Sequence, residues 1–317
     1  MTRRQPLPLV SIIIPVYNGG DFLRQAIDSA LAQSYANVEV LVVNDGSSDD
    51  GETERIARGY GDRIRYLAKQ NGGVATALNL GIAEMRGEYF SWLSHDDVYH
   101  PAKVEAQVAA AAGMEPDTVV VCAYELIDEH SRLLPGESPV PHDSGVVSAL
   151  AASLNGCALL IPRRCFTVAG GFDPALRTTQ DSDMWLRIAL AGFRFAYLPR
   201  VLVQSRQHAQ QGSRTIDTHA AERTRWYLAA VESLSPAVIA TEAADIGEIL
   251  IRRRQRRAFM RFVGRHTETR SLAASALLSL RLGAAVAERA STKVAQAVPR
   301  LLGRRAAGQQ AGASRGP

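Results

Sequence analysis

The chain has 317 residues, 46% hydrophobic and 21% charged, the composition of an ordinary soluble globular protein with room for one large domain or two modest ones. Its three cysteines, Cys122, Cys157 and Cys165, contain no Cys-x-x-Cys pair and leave one odd, so a disulfide framework and a zinc site are excluded and a reduced, cytoplasmic protein is expected. The formal charge of +4 conceals an acidic body and a basic tail: from Ile251 onward 15 Lys/Arg face 2 Asp/Glu, a net of +13, while residues 1–250 hold 21 against 30, a net of −9.

Val10 to Val16 is a continuous β-branched apolar run, the pattern of a strand buried on both faces. It is short and contains Pro15, so it does not read as a signal peptide. Tyr17-Asn18-Gly19-Gly20 breaks it, and Asp21 fits the N-cap of a helix running to about Gln33. Val38 to Asn44 is a second buried strand, followed by a helix to about Arg58. Ile64 to Ala68 reads as a short third strand, Gly72-Gly73 opens a helix to about Arg86, and Tyr89 to Leu93 is a fourth strand. Strands and helices alternating at this spacing predict a parallel, doubly wound α/β sheet.

Pro101 to Ala112 reads as a helix and Val119 to Tyr124 as a strand. Residues 125–143 are rich in turn signals. A helix near Val146 to Leu154, a strand from Cys157 to Ile161 and a tight turn at Gly170–Pro174 follow. Asp181 to Ala191 is a helix, and Tyr197 to Ser205 contains a strand with Pro199 at its edge. Beyond Thr215 the pattern is helical, near 215–233, 236–265 and 267–289; from 303 the Gly/Ala/Gln-rich composition predicts disorder.

The fourth strand runs into Ser94-His95-Asp96-Asp97. Acids there lie at the carboxyl edge of the sheet, where α/β proteins bind ligands. Adjacent carboxylates repel unless a cation sits between them and a ligand, and Mg²⁺ or Mn²⁺ suits oxygen ligands and accompanies substrate phosphates. The plainer reading is a turn that caps the next helix. Asp45, at the end of the second strand, can accept hydrogen bonds from a nucleobase N–H or ribose hydroxyls, or simply form an Asx-turn before Gly46. Asn71-Gly72-Gly73 offers backbone N–H groups to a phosphate or base, or is a plain helix start. Asp181 and Asp183 open a helix and suit its N-terminus. His208 is either a metal ligand or a structural residue.

Taken together, Val10–Asn18 (VSIIIPVYN), Val43–Asp49 (VNDGSSD), Asn71–Gly81 (NGGVATALNLG), Ser94–Asp97 (SHDD) and Gln180–Arg187 (QDSDMWLR) resemble the family 2 inverting glycosyltransferases of the GT-A fold, in that family's order and spacing over about residues 9–210. The resemblance implies an α/β, Rossmann-like, doubly wound and mostly parallel sheet with a helical C-terminal extension. It places a GT-A domain at 1–214, with a nucleotide-sugar half at about 1–125 and an acceptor half at about 126–214; the pattern and composition beyond it give a basic helical region at 215–302 and a disordered tail at 303–317. Asp45, with Pro15, Tyr17 and Asn18, is implied to meet the nucleotide base, with Asn71 and Gly72 beside it. Asp96 is implied to meet the ribose or a metal-bound water, Asp97 and His208 to hold Mn²⁺ or Mg²⁺, Asn155-Gly156 to border donor and acceptor, and Asp181 to act as the catalytic base. Three departures stand out. Ser94 replaces the first acid of the common Asp-x-Asp-Asp, Leu78 replaces the arginine of Ala-Arg-Asn, and Gln180 replaces the glutamate before Asp181.

The implied function is metal-dependent, inverting transfer of a sugar from a nucleotide-diphospho-sugar, UDP- or dTDP-linked, to a hydroxyl of a sugar or lipid-linked sugar, in bacterial cell-envelope polysaccharide or glycolipid synthesis. The alternative is a catalytically inactive nucleotide-sugar-binding or scaffold protein of the same fold. A dinucleotide-dependent oxidoreductase is excluded, since no Gly-x-Gly-x-x-Gly follows the first strand. Nucleic acid is not an expected partner of the acidic body. Leu272 to Ala287 contains Arg281 and is shorter than the ~20 residues that span a bilayer. The basic region is then either a helical subdomain with a solvated arginine face or a peripheral anchor on the anionic inner face of the cell membrane, with Phe259 and Phe262 inserting.

Overall fold

A computed structural model describes residues 7–136, 138–211 and 219–269. The expected helix at 267–289, beyond residue 269, and the expected disordered tail from 303 lie outside the described residues. The chain divides into two compact units, Met1–Ala230 and Val231–Pro317.

The first unit is built on one sheet. Its strands are β1 (Val10–Val16), β2 (Val38–Asn44), β3 (Arg65–Ala68), β4 (Tyr89–Trp92), β5 (Val98–Tyr99), β6 (Val119–Ile127), β7 (Leu133–Leu134), β8 (Leu159–Pro162) and β9 (Phe195–Arg206). The spatial order is β3-β2-β1-β4-β8-β6-β9-β5, with β7 on β6. Every residue of β1 is buried, as its unbroken apolar run requires of a strand covered on both faces. The ladders among β1 to β4 are all parallel. Helices α1 (Leu23–Leu31), α2 (Glu52–Arg58) and α3 (Val74–Glu84) lie between these strands in the chain.

Beyond β4 the sheet becomes mixed. β8 runs antiparallel to both β4 and β6, whereas β6 and β9 are parallel. The apolar run at Leu159–Ile161 reports burial and carries no information on strand direction. Pro199 and Arg200 fall outside the β6–β9 pairing: Cys122 pairs with Leu198, the next rung joins Ala123 to Val201, and Tyr124 then pairs with Val203. Proline has no N–H to give a ladder, so the strand bulges at it. Beyond the bulge β9 pairs with β5, Val98 opposite Gln204, which brings the end of β9 to the Asp96-Asp97 turn.

Several local expectations shift. Helix α1 is not capped by Asp21: its N-cap residue is Phe22, with no side-chain cap, and the carbonyl of Gly19 accepts from the backbone N–H of Phe22 and Leu23 instead. The fifth helical stretch is α5 (Gly145–Leu150), after α4 (Lys103–Ala112), and Gly156–Ala158 is a 3₁₀ turn rather than strand. A helix not read from the sequence, α6 (Arg163–Ala169), precedes α7 (Gln180–Leu190). Phe90 of β4 packs edge-on against Phe166 of α6 at 4.9 Å, and Phe172 lies edge-on to Trp92 at 6.0 Å and to Trp185 of α7 at 5.8 Å. This aromatic cluster packs the middle of α7, through Phe172, against the end of β4.

Helix α8 (His219–Ser233) runs from the first unit into the second. In the second unit the expected helix at 236–265 is two: α9 (Pro236–Arg252), capped by Ser235 Oγ accepting from Val238 N, and α10 (Arg256–Thr269). Arg254 adopts φ +60 at the break. No helix among the described residues is long and apolar enough to cross a membrane.

Candidate active site

The carboxyl ends of β1, β2 and β4 open into a cleft of about 1310 Å³. The structure brings all twelve residues singled out from the sequence to it: Pro15, Tyr17, Asn18, Asp45, Asn71, Gly72, Asp96, Asp97, Asn155, Gly156, Asp181 and His208. Pro15, Tyr17, Asn18 and Asp45 come from the ends of β1 and β2, where a buried strand releases its side chains to solvent, and the others from the loops, the 3₁₀ turn and the helix start that meet that edge.

One wall is a pair of interlocked loops. Asn18 takes φ +52, a conformation asparagine tolerates better than most residues. Its Oδ1 accepts from Ser48 N at 2.8 Å, and its own N–H donates to Ser47 Oγ at 2.9 Å, tying the end of β1 to the loop after β2. Asp45 is 3% exposed. Its carboxylate accepts from Lys69 Nζ at 2.6 Å, from Gly72 N at 3.1 Å and from Gly73 N at 2.7 Å. Asp45 therefore organises the Asn71–Gly73 loop before any ligand arrives. The Thr76 hydroxyl lies 3.5 Å from Asp45 Oδ1.

The opposite end holds the acids. Asp97 is 5% exposed, and burial first, then the charge of Asp96, pushes its carboxyl up to about 7. Its Oδ1 accepts from Arg206 N at 2.8 Å. His208 Nε2 lies 3.0 Å from Asp96 Oδ2, so the imidazole meets Asp96 rather than Asp97. Arg206, 1% exposed, holds this corner: its guanidinium donates to the carbonyls of Asp96 at 2.8 Å and Asp128 at 2.9 Å and to Gln25 Oε1 at 2.5 Å, and sits 4.5 Å over the Phe22 ring. Among the described residues no group of three or more His, Cys, Asp or Glu side chains is already gathered to hold a metal ion. The donor chemistry at Asp96, Asp97 and His208 nonetheless fits a hard divalent cation, because a positive charge relieves both the burial of Asp97 and its repulsion from Asp96.

Between these ends lie Asn155, Gly156 and Asp181. Asn155 Oδ1 accepts from Cys157 N at 2.9 Å, fixing the turn. A Cβ on Gly156 would lie 2.4 Å from Trp92 Cε3, so only glycine lets this loop close over the indole. Asp181 is the second residue of α7, and its Oδ1 accepts from Ser182 N at 2.6 Å. Burial raises its pKa above the usual aspartate range, against the lowering effect of Ser182. Asp183 instead pairs with Arg187 at 2.8 Å.

Two residues of the site were not found from the sequence. Glu222 of α8, 4% exposed, accepts from the backbone N–H of Arg177, Thr178 and Thr179 at 2.9, 2.8 and 2.8 Å and from both threonine hydroxyls at 2.9 Å. Burial alone would raise its pKa, but these donors outweigh it and hold the carboxyl down to about 2. Arg177, on the strap so held, lines the cleft. Neither lies in a short motif, and their partners are dozens of residues away in the chain.

Loops and acids gathered at the carboxyl ends of parallel strands are where α/β proteins place their ligand sites. The Glycosyl transferase family 2 model matches residues 11–144. The chain is 49% identical over 216 residues to an uncharacterized glycosyltransferase of Rickettsia prowazekii, covering 66% of this chain and 67% of that one. It is 50% identical to an uncharacterized glycosyltransferase of Rickettsia felis over 67% of this chain, and spans 36% of that relative's length. It is 29% identical to the chondroitin synthase of Pasteurella multocida over 67% of this chain and 22% of that one. Among solved structures, S. aureus TarS in complex with UDP-GlcNAc superposes with a TM-score of 0.66 at 16% identity, covering 88% of this chain and 87% of that one. The mannosyltransferase PcManGT of Pyrobaculum calidifontis, in complex with GDP-Man and Mn²⁺, superposes with a TM-score of 0.53 at 20% identity, covering 89% and 81%. The chain belongs to glycosyltransferase family 2, and its mixed α/β sheet is that of the GT-A fold.

Proposed function

We propose that this chain transfers a sugar from a nucleotide-diphospho-sugar to an acceptor hydroxyl with inversion. The observation that carries the reading is the placing of Asp181, a half-buried carboxylate with a raised pKa, in the same cleft as the Asp45-organised loop and the Asp96-Asp97 corner. The loops at Pro15–Asn18, Asp45 and Asn71-Gly72 receive the nucleotide. Asp97 and His208, with Asp96 beside them, hold Mn²⁺ or Mg²⁺. Bound there, the cation would offset the charge that develops on the leaving diphosphate. Asp181 accepts the proton of the acceptor hydroxyl as that oxygen attacks the anomeric carbon from the face opposite the leaving group. A single displacement inverts the centre and needs no nucleophile from the protein, the one-base logic of inverting glycosidases. The donor is UDP- or dTDP-linked and the acceptor a sugar or lipid-linked sugar of the bacterial cell envelope. The transferase domain is residues 1–214, with the basic region beyond it.

Calorimetry with UDP tests the donor half of this reading. Wild-type protein is expected to bind UDP with Mn²⁺ and to lose that binding with chelator. Asp97→Ala is expected to abolish the Mn²⁺-dependent part, and His208→Ala to weaken it less. Equal affinity with and without metal would overturn the metal assignment.

We further propose peripheral attachment to anionic membrane through the second unit. Arg256, Arg257 and Met260 of α10 are exposed, Met260 at 62%. Of the two inserting residues expected from the sequence, Phe262 is fully buried and does not insert, and Phe259 is half-buried; the arginines carry the contact, at ~1 kcal/mol each near an anionic surface. Pelleting with anionic but not neutral liposomes, reversed at high salt, is the expected result. No preference for anionic liposomes would leave the arginines as a solvated face.

A further inference from the structure

The cleft is lined by five carboxylates, Asp21, Asp45, Asp96, Asp97 and Asp181, and a nucleotide-diphospho-sugar adds more negative charge. Among the described residues that line it, Arg177 is the single lysine or arginine. Its side chain is exposed and, among the described residues, pairs with no carboxylate and makes one side-chain hydrogen bond, from Nη1 to the carbonyl of Gly72 at 2.9 Å. Four of the five guanidinium N–H donors are therefore uncommitted. The guanidinium fills the space over Gly73, where a Cβ would lie 2.5 Å from Nη1, and Gly73 adopts φ +89, a conformation that excludes most other residues. Glycine at this position meets the loop's φ requirement and leaves the space that the guanidinium occupies.

The backbone that carries Arg177 is fixed. Its N–H and those of the next two residues all donate to Glu222, so the side chain swings from a rigid strap that continues directly into Asp181. Leu78 of α3 is fully buried and supplies no charge to the cleft. Arg177 brings its charge to the loop that opens α3.

We propose that Arg177 is a phosphate-binding residue of the donor site, releasing or sharing the Gly72 carbonyl to grip the donor diphosphate through paired N–H donors. Planar, bidentate recognition of phosphate is the chemistry for which arginine is suited and lysine is a weaker substitute. The residue bridges the donor loop and the strap that bears the base, so donor binding and the placing of Asp181 are linked through it. This rests on the transferase reading given above.

The test uses the full chain with Mn²⁺. UDP, dTDP, GDP and ADP are titrated into wild-type protein, and the tightest is then compared with its own nucleoside on wild type, Arg177→Ala and Arg177→Lys. Arg177→Ala is expected to weaken the diphosphate by roughly tenfold or more, the worth of a charged hydrogen bond, and the nucleoside by less than about twofold. Arg177→Lys is expected to fall between the two. An equal loss for nucleoside and diphosphate would make Arg177 a base or ribose contact, and no loss for either would make it a surface residue; each overturns the proposal while leaving the transferase reading intact. Failure of wild type to bind any of the four diphosphates would instead overturn the transferase reading, and this inference with it.

Discussion

Asp181→Asn is expected to lower the transfer rate by roughly 10²-fold or more while leaving UDP and metal binding at the wild-type level. Asparagine keeps the shape of the side chain and can still accept from Ser182 N, but it cannot take a proton from the acceptor. The pH profile separates this role from a structural one. A base works only when ionised, and burial raises the pKa of Asp181, so the wild-type rate should fall on acidification through a pKa above the ordinary aspartate value. The sign for stability is the reverse. A carboxyl whose folded pKa lies above its unfolded one favours the native state below the unfolded value, and that contribution is lost as pH rises through the folded value. Wherever the carboxylate is ionised it bears this desolvation cost, so Asp181→Asn should there unfold at the same urea concentration or a higher one. Near-wild-type turnover of this variant, or a rate with no acid limb, would remove Asp181 from the chemistry.

Glu222→Ala is expected to have the second large effect, on stability and on rate together. With its carboxyl held at about 2 against a reference of 4.5, Glu222 contributes about 3 kcal/mol at neutral pH, at 1.36 kcal/mol per pKa unit. A depressed pKa gives stability that is present above the unfolded value and lost as pH falls through the folded one. The gap in urea midpoint between wild type and variant should therefore be full at pH 7 and narrow only below about pH 4.5, closing towards pH 2. Without the carboxylate, three backbone N–H groups and two hydroxyls of residues 177–179 lose their acceptor, and the strap into Asp181 loosens. The rate should fall with it, and Glu222→Gln should restore part of both losses. An unchanged midpoint at pH 7 would show that the strap is held by something else.

These two residues also mark how far the sequence could be read. Asp181 was legible because it sits in a short block beside the apolar face of a helix, and both signals are local. The buried strands at Val10–Val16 and Val38–Asn44 were legible for the same reason: a β-branched run carries its own burial. Strand ends follow from strands, which is why Asp45 and Asp97 could be placed at one edge. Glu222 was not legible, because its meaning lies in donors 43 to 45 residues away and a lone glutamate on a helix carries no signal of a partner. The same holds for Arg206, whose guanidinium reaches Gln25 across 181 residues. The direction of β8 was hidden for a different reason, since burial is the same for either direction. The expectation of a cap at Asp21 failed because the Gly19 carbonyl already satisfies the N–H groups that a cap would serve.

The bulge in β9 has a consequence for how this corner could tolerate change. Between Leu198 and Val203 the strand carries three residues more than its partner β6 needs for one-to-one pairing, namely Pro199, Arg200 and Leu202. Side chains along a strand alternate with a period of two, so an odd surplus exchanges the two faces of everything downstream. It also slides the later residues by about 10 Å relative to β6, at about 3.3 Å each. Parity is thus part of what delivers Arg206 and His208 to Asp96 and Asp97. Shortening this stretch by one or three residues would turn the end of β9 over, whereas removing two would preserve its facing and change only its reach.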